Sequence, residues 1–465
     1  MDEDMDFDGA PSQMLSNGLE PQPLYNSQMG GMGDGRKMLD LVFVQDCTGS
    51  QGSYISSATK NIEQICAHIF ESGKLQSRED LRVGLVAFRD HPPQDHTYIV
   101  KNFGFSSDIA KVQKDLSGLY ASGGGDGPEA VTAAMFEALN MEWREAASKM
   151  VVLIADAPPH GIGEYGDGFD DGSPDGNDPL QLARVMASRG ITLFFVACEP
   201  ALSGYSYATD FYRAITNITS GLMLPLTTAD LLAHAIVGSV LENLDMDRLV
   251  REVGHAVAQR ILGNNESVDD VARELHEKLL LRNESTKKVV IESIYKDSEE
   301  SRHNVEVYTH AATLAEARPS LKRVNGTRFT DKYLESRAQT SRSTYGSAYS
   351  YPFTPATLLA TSVSPKLAAG SPPRKVVTDF AAFGAPANAS VFGTAVASTP
   401  FSLAGGKAAF GGIRNGGSRA GAFDADDDEE DDDDGRQRVE LREDSISLDQ
   451  ARRIAMQSAW RSARA

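Results

Sequence analysis

Residues 39–50 read LDLVFVQDCTGS, an apolar run followed by a polar turn. The β-branched and aromatic residues of the run predict a buried strand. Asp46, Thr48 and Ser50 then occupy alternate positions of the turn. Carboxylate and hydroxyl oxygens are the ligands that hard divalent cations such as Mg²⁺ prefer. This stretch therefore predicts a strand that ends at a metal site.

Short β-branched runs alternate with helical patterns from Lys37 to Leu244, which is typical of a mostly parallel sheet covered on both faces. We expect an α/β fold with a doubly wound, six-stranded sheet. The segment between the second and third strands, residues 88–97, is too short for a helical crossover, so these strands should be antiparallel. The predicted strands are 39–45, 82–88, 97–103, 150–155, 191–198 and 222–224, and the predicted helices are 54–70, 108–119, 128–143, 179–188, 209–218 and 229–244.

Two further loops carry oxygen ligands after predicted strands: 123–129, GGGDGPE, and 156–160, DAPPH. Ligands of open α/β sheets gather outside the carboxyl ends of the strands, so the loops should share one edge with Asp46. Thr48, Ser50 and Asp126 also precede predicted helices and could be helix caps. Pro128 suits the first helical position, which would place Gly127 at the cap and leave Asp126 free for metal.

Four segments together resemble the von Willebrand factor type A domains, and most of all the intracellular modules attached to some α-kinases. They are DCTGS at 46–50, RDH at 89–91, GGGDGPE at 123–129 and DAPPHG at 156–161. The resemblance covers about Lys37 to Leu244 and implies a metal-ion-dependent adhesion site. It implies that Thr48 and Ser50 bind Mg²⁺ directly, that Asp46 and Asp156 bind through water, and that Asp126 is a further ligand. The metal would be Mg²⁺, with Mn²⁺ or Ca²⁺ as alternatives.

Asp126 stands where the family more often has threonine. The extra negative charge should hold the metal more firmly and weaken the attraction of the cation for a partner carboxylate. Thr132 offers an alternative hydroxyl, but it lies inside a predicted helix and ranks below Asp126.

Arg89, Asp90, His91 and His160 are expected near the same edge, as residues that shape the ligand crevice. The pair His91 and His96 lacks a defined carboxylate or cysteine partner, which argues against a second metal site there.

Residues 167–178 partly fit the spacing of a calcium-binding loop, but Phe169 occupies the third position, where an oxygen is needed. We interpret this stretch as a flexible acidic insertion beside the main site.

The remaining chain divides by composition. We expect a disordered acidic N-terminus at 1–36, the sheet domain at 37–244, a helical extension at 245–310, a disordered low-complexity region at 311–440 and a short helix at 445–463. Lys288 to Tyr295 could add a strand. Ser447 to Gln450 form a capping box for the last helix.

Charge and composition exclude several functional classes. The net charge is −20, and ten of the eleven residues from Asp424 to Asp434 are acidic, so nucleic acid is a poor partner. No stretch approaches the roughly 18 apolar residues of a membrane helix. The three cysteines lie far apart, which predicts no disulfide framework. We expect a cytoplasmic protein without membrane insertion.

Three functions are compatible with these features. The first is a non-catalytic binding module in which an acidic side chain of a partner protein completes the coordination of Mg²⁺. The second is a Mg²⁺-dependent phosphate-transfer enzyme or hydrolase that uses Asp46, although Thr48 stands where such enzymes carry a second aspartate. The third is a scaffold that binds through its tail and has a purely structural metal site. We favour the first.

Overall fold

The computed structural model describes residues 37–345 and 437–463. The predicted acidic N-terminus, the acidic run at Asp424 to Asp434 and most of the predicted low-complexity region lie outside these ranges. None of the helices within them combines the length and the apolar character needed to cross a bilayer.

A six-stranded sheet with the order β3-β2-β1-β4-β5-β6 forms the centre of the fold, as the alternating pattern predicts. Only β3 runs antiparallel to its neighbour, so the predicted hairpin is confirmed. Its strands are β1 (Leu39–Asp46), β2 (Leu81–Phe88), β3 (Val100–Ser106), β4 (Ser148–Ala155), β5 (Ile191–Cys198) and β6 (Met223–Leu226).

Helices cover both faces of this sheet, which is why its central strands are apolar without alternation. In β1, Leu41 and Phe43 pack toward α1, α2 and α6, whereas Val42 and Val44 pack toward α3, α4 and α5. These helices are α1 (Gly52–Glu71), α2 (Ile109–Ser117), α3 (Val131–Leu139), α4 (Pro179–Ser188), α5 (Ala208–Ile218) and α6 (Leu232–Ala258).

The strand order reverses beside β1. The chain leaves β1 through α1 toward β2 on one side, while β4 pairs with β1 on the other side. Such a switch point opens a crevice at the carboxyl ends of the two strands. The loops that follow Asp46 and Ala155 therefore lie next to each other.

The predicted start of α3 at Pro128 is wrong, because the helix begins at Val131. The amide of Glu129 donates to the carbonyl of Pro158, and the amide of Ala130 donates to the carbonyl of Arg89. Residues 128–130 are thus held as loop by contacts to other segments.

α6 continues through Leu244, where we expected the sheet domain to end. Its buried apolar positions extend to Leu249 and Val250, so no break interrupts the helix. A π-helical turn, Gln259–Gly263, then leads to α7 (Val268–Leu281).

Helical structure also extends past residue 311, where we expected disorder to begin. α8 (Glu299–His310) is followed by α9 (Leu314–Ala317) and α10 (Asp331–Tyr345). Leu314 and Ala317 are buried in the core cluster on the α5 side of the sheet, and this packing stabilises an otherwise polar segment.

The C-terminal segment folds back onto the extension. The predicted capping box is present at the start of α11 (Leu448–Ser462), which packs on α6 and α7. β7 (Ser285–Ile291) pairs with β8 (Val439–Ser445) in an antiparallel two-stranded sheet. No strand was predicted at β8. Its partner strand is remote in the sequence, so local sequence patterns do not indicate it.

Candidate metal centre

Main-chain hydrogen bonds join the three loops that were predicted to carry metal ligands. The amide of Gly49 in the first loop donates to the carbonyl of Gly123 in the second loop over 3.2 Å. The amide of Glu129 in the second loop donates to the carbonyl of Pro158 in the third loop over 2.9 Å. The loops therefore form one connected surface at the carboxyl edge of the sheet.

Asp46 is the most constrained residue of the first loop. Its carboxylate is 0% exposed, and Oδ1 accepts hydrogen bonds from the amide of Thr48 at 2.8 Å and from its hydroxyl at 2.7 Å. The other oxygen, Oδ2, is buried and has no partner among the described residues. Burial, and then the charge of Asp156, raise the pKa of Asp46 to about 7.

The structure does not support a capping role for the hydroxyls of this loop. Thr48 precedes the 3-10 turn Gly49–Gln51 and Gln51 precedes α1, yet neither makes a side-chain capping hydrogen bond. Thr48 is buried and Ser50 is exposed. Thr48 donates its proton to Asp46, so its oxygen lone pairs remain available to a cation.

Glu129 is a site residue that the sequence analysis missed. It is 4% exposed, and burial followed by the charges of Asp46, Asp90, Asp126 and Asp156 raises its pKa to about 10. From the sequence alone, Glu129 is predicted to lie in the first turn of a helix, where acidic residues are common. The one feature of the sequence that could have indicated a role in the site is the position of Glu129 at the end of the glycine-rich loop 123–129.

Gly124 shows where the Glu129 side chain lies. A Cβ atom at Gly124 would meet Glu129 Oε1 at 2.8 Å and Thr48 Cβ at 3.5 Å. An added Cβ would therefore be in ordinary contact with Thr48 but would require the Glu129 carboxyl group to shift. The φ of +86° at Gly124 also favours glycine.

Asp126 groups with Asp90 and His160. Ligand atoms of these three residues all lie within 4.8 Å of one another, an arrangement that could hold a cation. Asp126 Oδ2 accepts hydrogen bonds from the amide of Gly168 at 2.5 Å and from Gln94 Nε2 at 3.2 Å.

His160 already has a carboxylate at each ring nitrogen. Nε2 lies 2.7 Å from Asp90 Oδ1 and Nδ1 lies 2.7 Å from Asp167 Oδ1. Burial, the largest single influence, lowers its pKa, but the hydrogen bonds and the charges of Asp167 and Asp90 together outweigh burial and raise the pKa to about 9. His160 is therefore a buried imidazolium at neutral pH, and it would have to release a carboxylate before it could bind metal.

The four residues expected to shape the crevice lie beneath its surface. Arg89, Asp90, His91 and His160 are all buried. The Arg89 guanidinium donates a hydrogen bond to Thr97 Oγ1 at 2.8 Å. This side chain therefore helps to hold the segment between β2 and β3. Burial lowers the pKa of His91, as does the neighbouring His160. These side chains position the loops and are not exposed to a partner.

The acidic segment at 167–178 uses its end residues for other contacts. Asp167 binds His160, and Asp178 caps α4 through the amides of Leu180 and Gln181. The first and twelfth positions of the calcium-like spacing are therefore engaged elsewhere.

Several buried oxygens in these loops lack a partner among the described residues, which is costly unless a ligand satisfies them. A divalent cation with its waters would satisfy oxygens of this kind, so the donor set fits such an ion. The unpartnered atoms are Asp46 Oδ2, Asp90 Oδ2, Asp126 Oδ1, Glu129 Oε2 and Thr132 Oγ1.

Comparison with known proteins identifies a related protein family. Residues 40–223 match the family model described as von Willebrand factor type A domain. A putative ariadne-like RING finger protein of Acanthamoeba polyphaga mimivirus is 29% identical over 204 residues, which are 42% of this chain and 19% of that protein. The α-protein kinase vwkA of Dictyostelium discoideum is 32% identical over 161 residues, 34% of this chain and 25% of the kinase. The chain thus spans a quarter or less of the length of these relatives.

Among solved structures, the pilus adhesin SpaC of Lactobacillus rhamnosus GG matches 45% of this chain and 30% of its own, with 15% identity. The TM-score of 0.35 is too low for this likeness to inform the function. The family model covers the sheet from Asp40 in β1 to the end of β5 and the first residue of β6, together with the three ligand-bearing loops. This chain therefore contains a von Willebrand factor type A domain.

Proposed function

We propose that the domain is a Mg²⁺-dependent protein-binding module that captures an acidic side chain of a partner. The observation that carries this proposal is the unpartnered oxygen of Asp46, which is fully buried beside Thr48 and Asp156. A buried carboxylate is stable as an anion only when a cation or hydrogen-bond donors compensate it. A divalent cation at this loop would supply that compensation.

The residues that would hold the metal come from all three loops. Asp46, Thr48 and Ser50 belong to the first loop, Asp126 and Glu129 to the second, and Asp156 to the third. The bound cation would supply an electrophilic centre at which a partner carboxylate completes the coordination shell. The protein residues would hold the cation and exclude water from its inner side, since all but Ser50 and Asp126 are buried.

The same contacts favour capture over turnover. A phosphoryl-accepting aspartate needs a free carboxylate oxygen and a second acid nearby for proton transfer. Asp46 Oδ2 is free, but Thr48 stands in the position of that second acid and donates both its amide and its hydroxyl to Oδ1. We infer that Asp46 binds metal and does not attack a substrate.

The relatives match this chain over part of longer proteins, one named as a RING finger protein and one as an α-kinase. We infer a comparable role as the interaction part of a cytoplasmic assembly. The segments outside the domain would then act as a scaffold that is compatible with metal-dependent capture.

Isothermal titration of the full chain with Mg²⁺ tests the metal site. We expect the wild type to bind Mg²⁺, and Asp46→Ala to weaken the affinity by more than ~100-fold, because loss of a residue that merely supports a ligand already costs about 10- to 100-fold. Asp108→Ala is the matched control, since this exposed aspartate caps α2 away from the loops. Equal affinity for Mg²⁺ in the wild type and in Asp46→Ala would overturn the proposal.

A further inference from the structure

We propose that the segment 164–178, the acidic loop, makes the site selective for a partner carboxylate that is flanked by lysine or arginine. The inference rests on the proposed function and concerns the kind of protein segment that the metal site accepts. It follows from how the loop is held, which charges it exposes and where these charges lie.

Buried contacts fix the acidic loop beside the metal centre. The amide of Gly168 donates to Asp126 Oδ2, and Asp167 Oδ2 accepts from the amide of Gly161 over 2.7 Å. The ring of Phe169 packs edge-on against the His160 ring, with centroids 4.8 Å apart. The loop therefore borders the crevice at the second ligand loop, and Asp170 and Asp171 follow two and three residues after the contact at Gly168.

The loop exposes three aspartates on this border, Asp170, Asp171 and Asp175. Within the part of the chain that the structure describes, no ion pair compensates the carboxylates of Asp170 and Asp171. Arg318 donates to the main-chain carbonyl of Asp170. The acidic loop is thus negatively charged where it borders the crevice. The metal centre beside it is itself rich in acidic residues.

Tyr165 adds an exposed ring at the same place, with a relative exposure of 102%. The preceding Glu164 is buried and accepts hydrogen bonds from the amides of Ser206 at 2.8 Å and Tyr207 at 2.6 Å. Asp167 anchors the other side of this turn. A fully exposed ring on a turn held at both sides can stack with an arginine guanidinium of a partner.

These features restrict the partner through electrostatics. An isolated carboxylate would be repelled by the border before it reached the metal, because exposed charges interact over about 8–10 Å at physiological salt. Cationic side chains beside that carboxylate would reverse the sign of this interaction and favour association. The fitting partner is therefore a protein segment that presents one acid among basic residues.

Synthetic peptides with one central aspartate test this inference on the full chain. Three peptides of equal length carry arginine and lysine, glutamine, or glutamate at the flanking positions, and a fourth carries alanine in place of the aspartate between basic flanks. Affinities are measured by fluorescence anisotropy with saturating Mg²⁺ and with EDTA. We expect the basic-flanked aspartate peptide to bind at least ~10-fold more tightly than the glutamine-flanked peptide, only with Mg²⁺, and the alanine peptide not to bind.

The protein variants locate the effect. The triple variant D170N/D171N/D175N should reduce the preference for basic flanks to less than ~3-fold, measured at a Mg²⁺ concentration that saturates the variant. The matched control is E71Q/E142Q/E145Q, which neutralises three exposed acids at the opposite edge of the sheet, near the end of α1 and the start of β4. This control should keep the preference.

The outcomes separate the two proposals. Mg²⁺-dependent binding with equal affinity for all flanks, or an unchanged preference in the triple variant, would overturn the inference and leave the proposed function standing. Failure of every peptide to bind in a Mg²⁺-dependent manner would overturn both. Equal binding of the alanine peptide would show that charge alone drives association and would also overturn the inference.

Discussion

One oxygen of Asp46, Oδ1, accepts both the amide and the hydroxyl of Thr48, at 2.8 and 2.7 Å. This arrangement fixes the carboxylate and leaves its second oxygen unpartnered in a buried position. Because the two residues are separated by only one position, the contact forms within the turn itself. The first loop is therefore organised by its own sequence, and main-chain hydrogen bonds connect it through the second loop to the third.

Without metal, the stability of the protein should fall as the pH rises from about 5 to about 8. The pKa of Asp46 is raised from 3.8 to about 7, so the folded state retains a proton that the unfolded state has lost. Unfolding then releases a proton, and the free energy of unfolding decreases with pH in this window. The raised pKa of Glu129 acts in the same direction.

Urea denaturation in EDTA at several pH values measures this trend. Saturating Mg²⁺ should flatten it, because the cation stabilises the deprotonated carboxylates. Asp46→Asn should also reduce the slope. A metal-free stability that increases with pH between about 5 and about 8 would contradict the pKa shifts described here.

Glu129→Gln should leave the metal-free protein about as stable as the wild type at neutral pH. The pKa of Glu129 is raised to about 10, so its side chain is protonated there, and glutamine resembles the protonated acid in shape. Binding of Mg²⁺ to the wild type should release this proton, whereas the variant should release fewer protons. Titrations in buffers of different ionisation enthalpy count the released protons. Glu137→Gln, farther along α3, is the control, and an unchanged proton count in Glu129→Gln would exclude Glu129 from the site.

Gly124→Ala should weaken Mg²⁺ binding by roughly 10-fold or more, because its Cβ would displace Glu129 Oε1. The positive φ of this residue adds a backbone cost of about 1 kcal/mol. Gly73→Ala separates the two effects, since Gly73 has a φ of +69° and no atom within 4 Å of the added Cβ. Both variants should lose stability, and only Gly124→Ala should lose metal affinity. Equal Mg²⁺ affinities in the two variants would mean that the space at Gly124 does not matter.

Local patterns predicted the parts of this structure that depend on neighbours in the sequence. The strand Leu39–Asp46 and the turn at Thr48 follow from an apolar run and from alternate polar residues. The antiparallel direction of β3 follows from the short connection between β2 and β3. Family resemblance supplied the ligand set, and the structure places its loops together.

Features that depend on segments distant in the sequence could not be predicted from local sequence patterns. Glu129 became a site residue because the amides around it bind Pro158 and Arg89, which removes it from α3. Arg89 and His91 were expected to line the crevice that receives a partner, but the packing of the loops buries them. β8 forms only because β7 offers it an edge, and its charged sequence VELREDS alone does not indicate a strand.

Arg453→Ala should destabilise the protein by about 3 kcal/mol, because it leaves Glu242 as an unpaired buried charge. The Arg453 guanidinium lies 2.5 Å from Glu242 Oε1, and their side chains are 7% and 1% exposed. Arg452→Ala on the same helix is the control. Arg452 pairs with Asp269 at the surface, so its loss should cost less than about 1 kcal/mol. Similar free energies of unfolding for the two variants, measured by urea denaturation, would show that the ion pair of Arg453 and Glu242 does not stabilise the packing of α11 on α6.

The central claim is that oxygens from three loops enclose one divalent cation beside Asp46. A crystal structure of the protein grown with Mn²⁺, analysed by anomalous diffraction, tests it most directly. The account predicts one strong anomalous peak between the side chains of Asp46, Thr48 and Asp156, with the second loop closing the site through Asp126 or Glu129. An anomalous difference map with no peak between these side chains at saturating Mn²⁺, and with Asp46 Oδ2 still unpartnered, would contradict the claim.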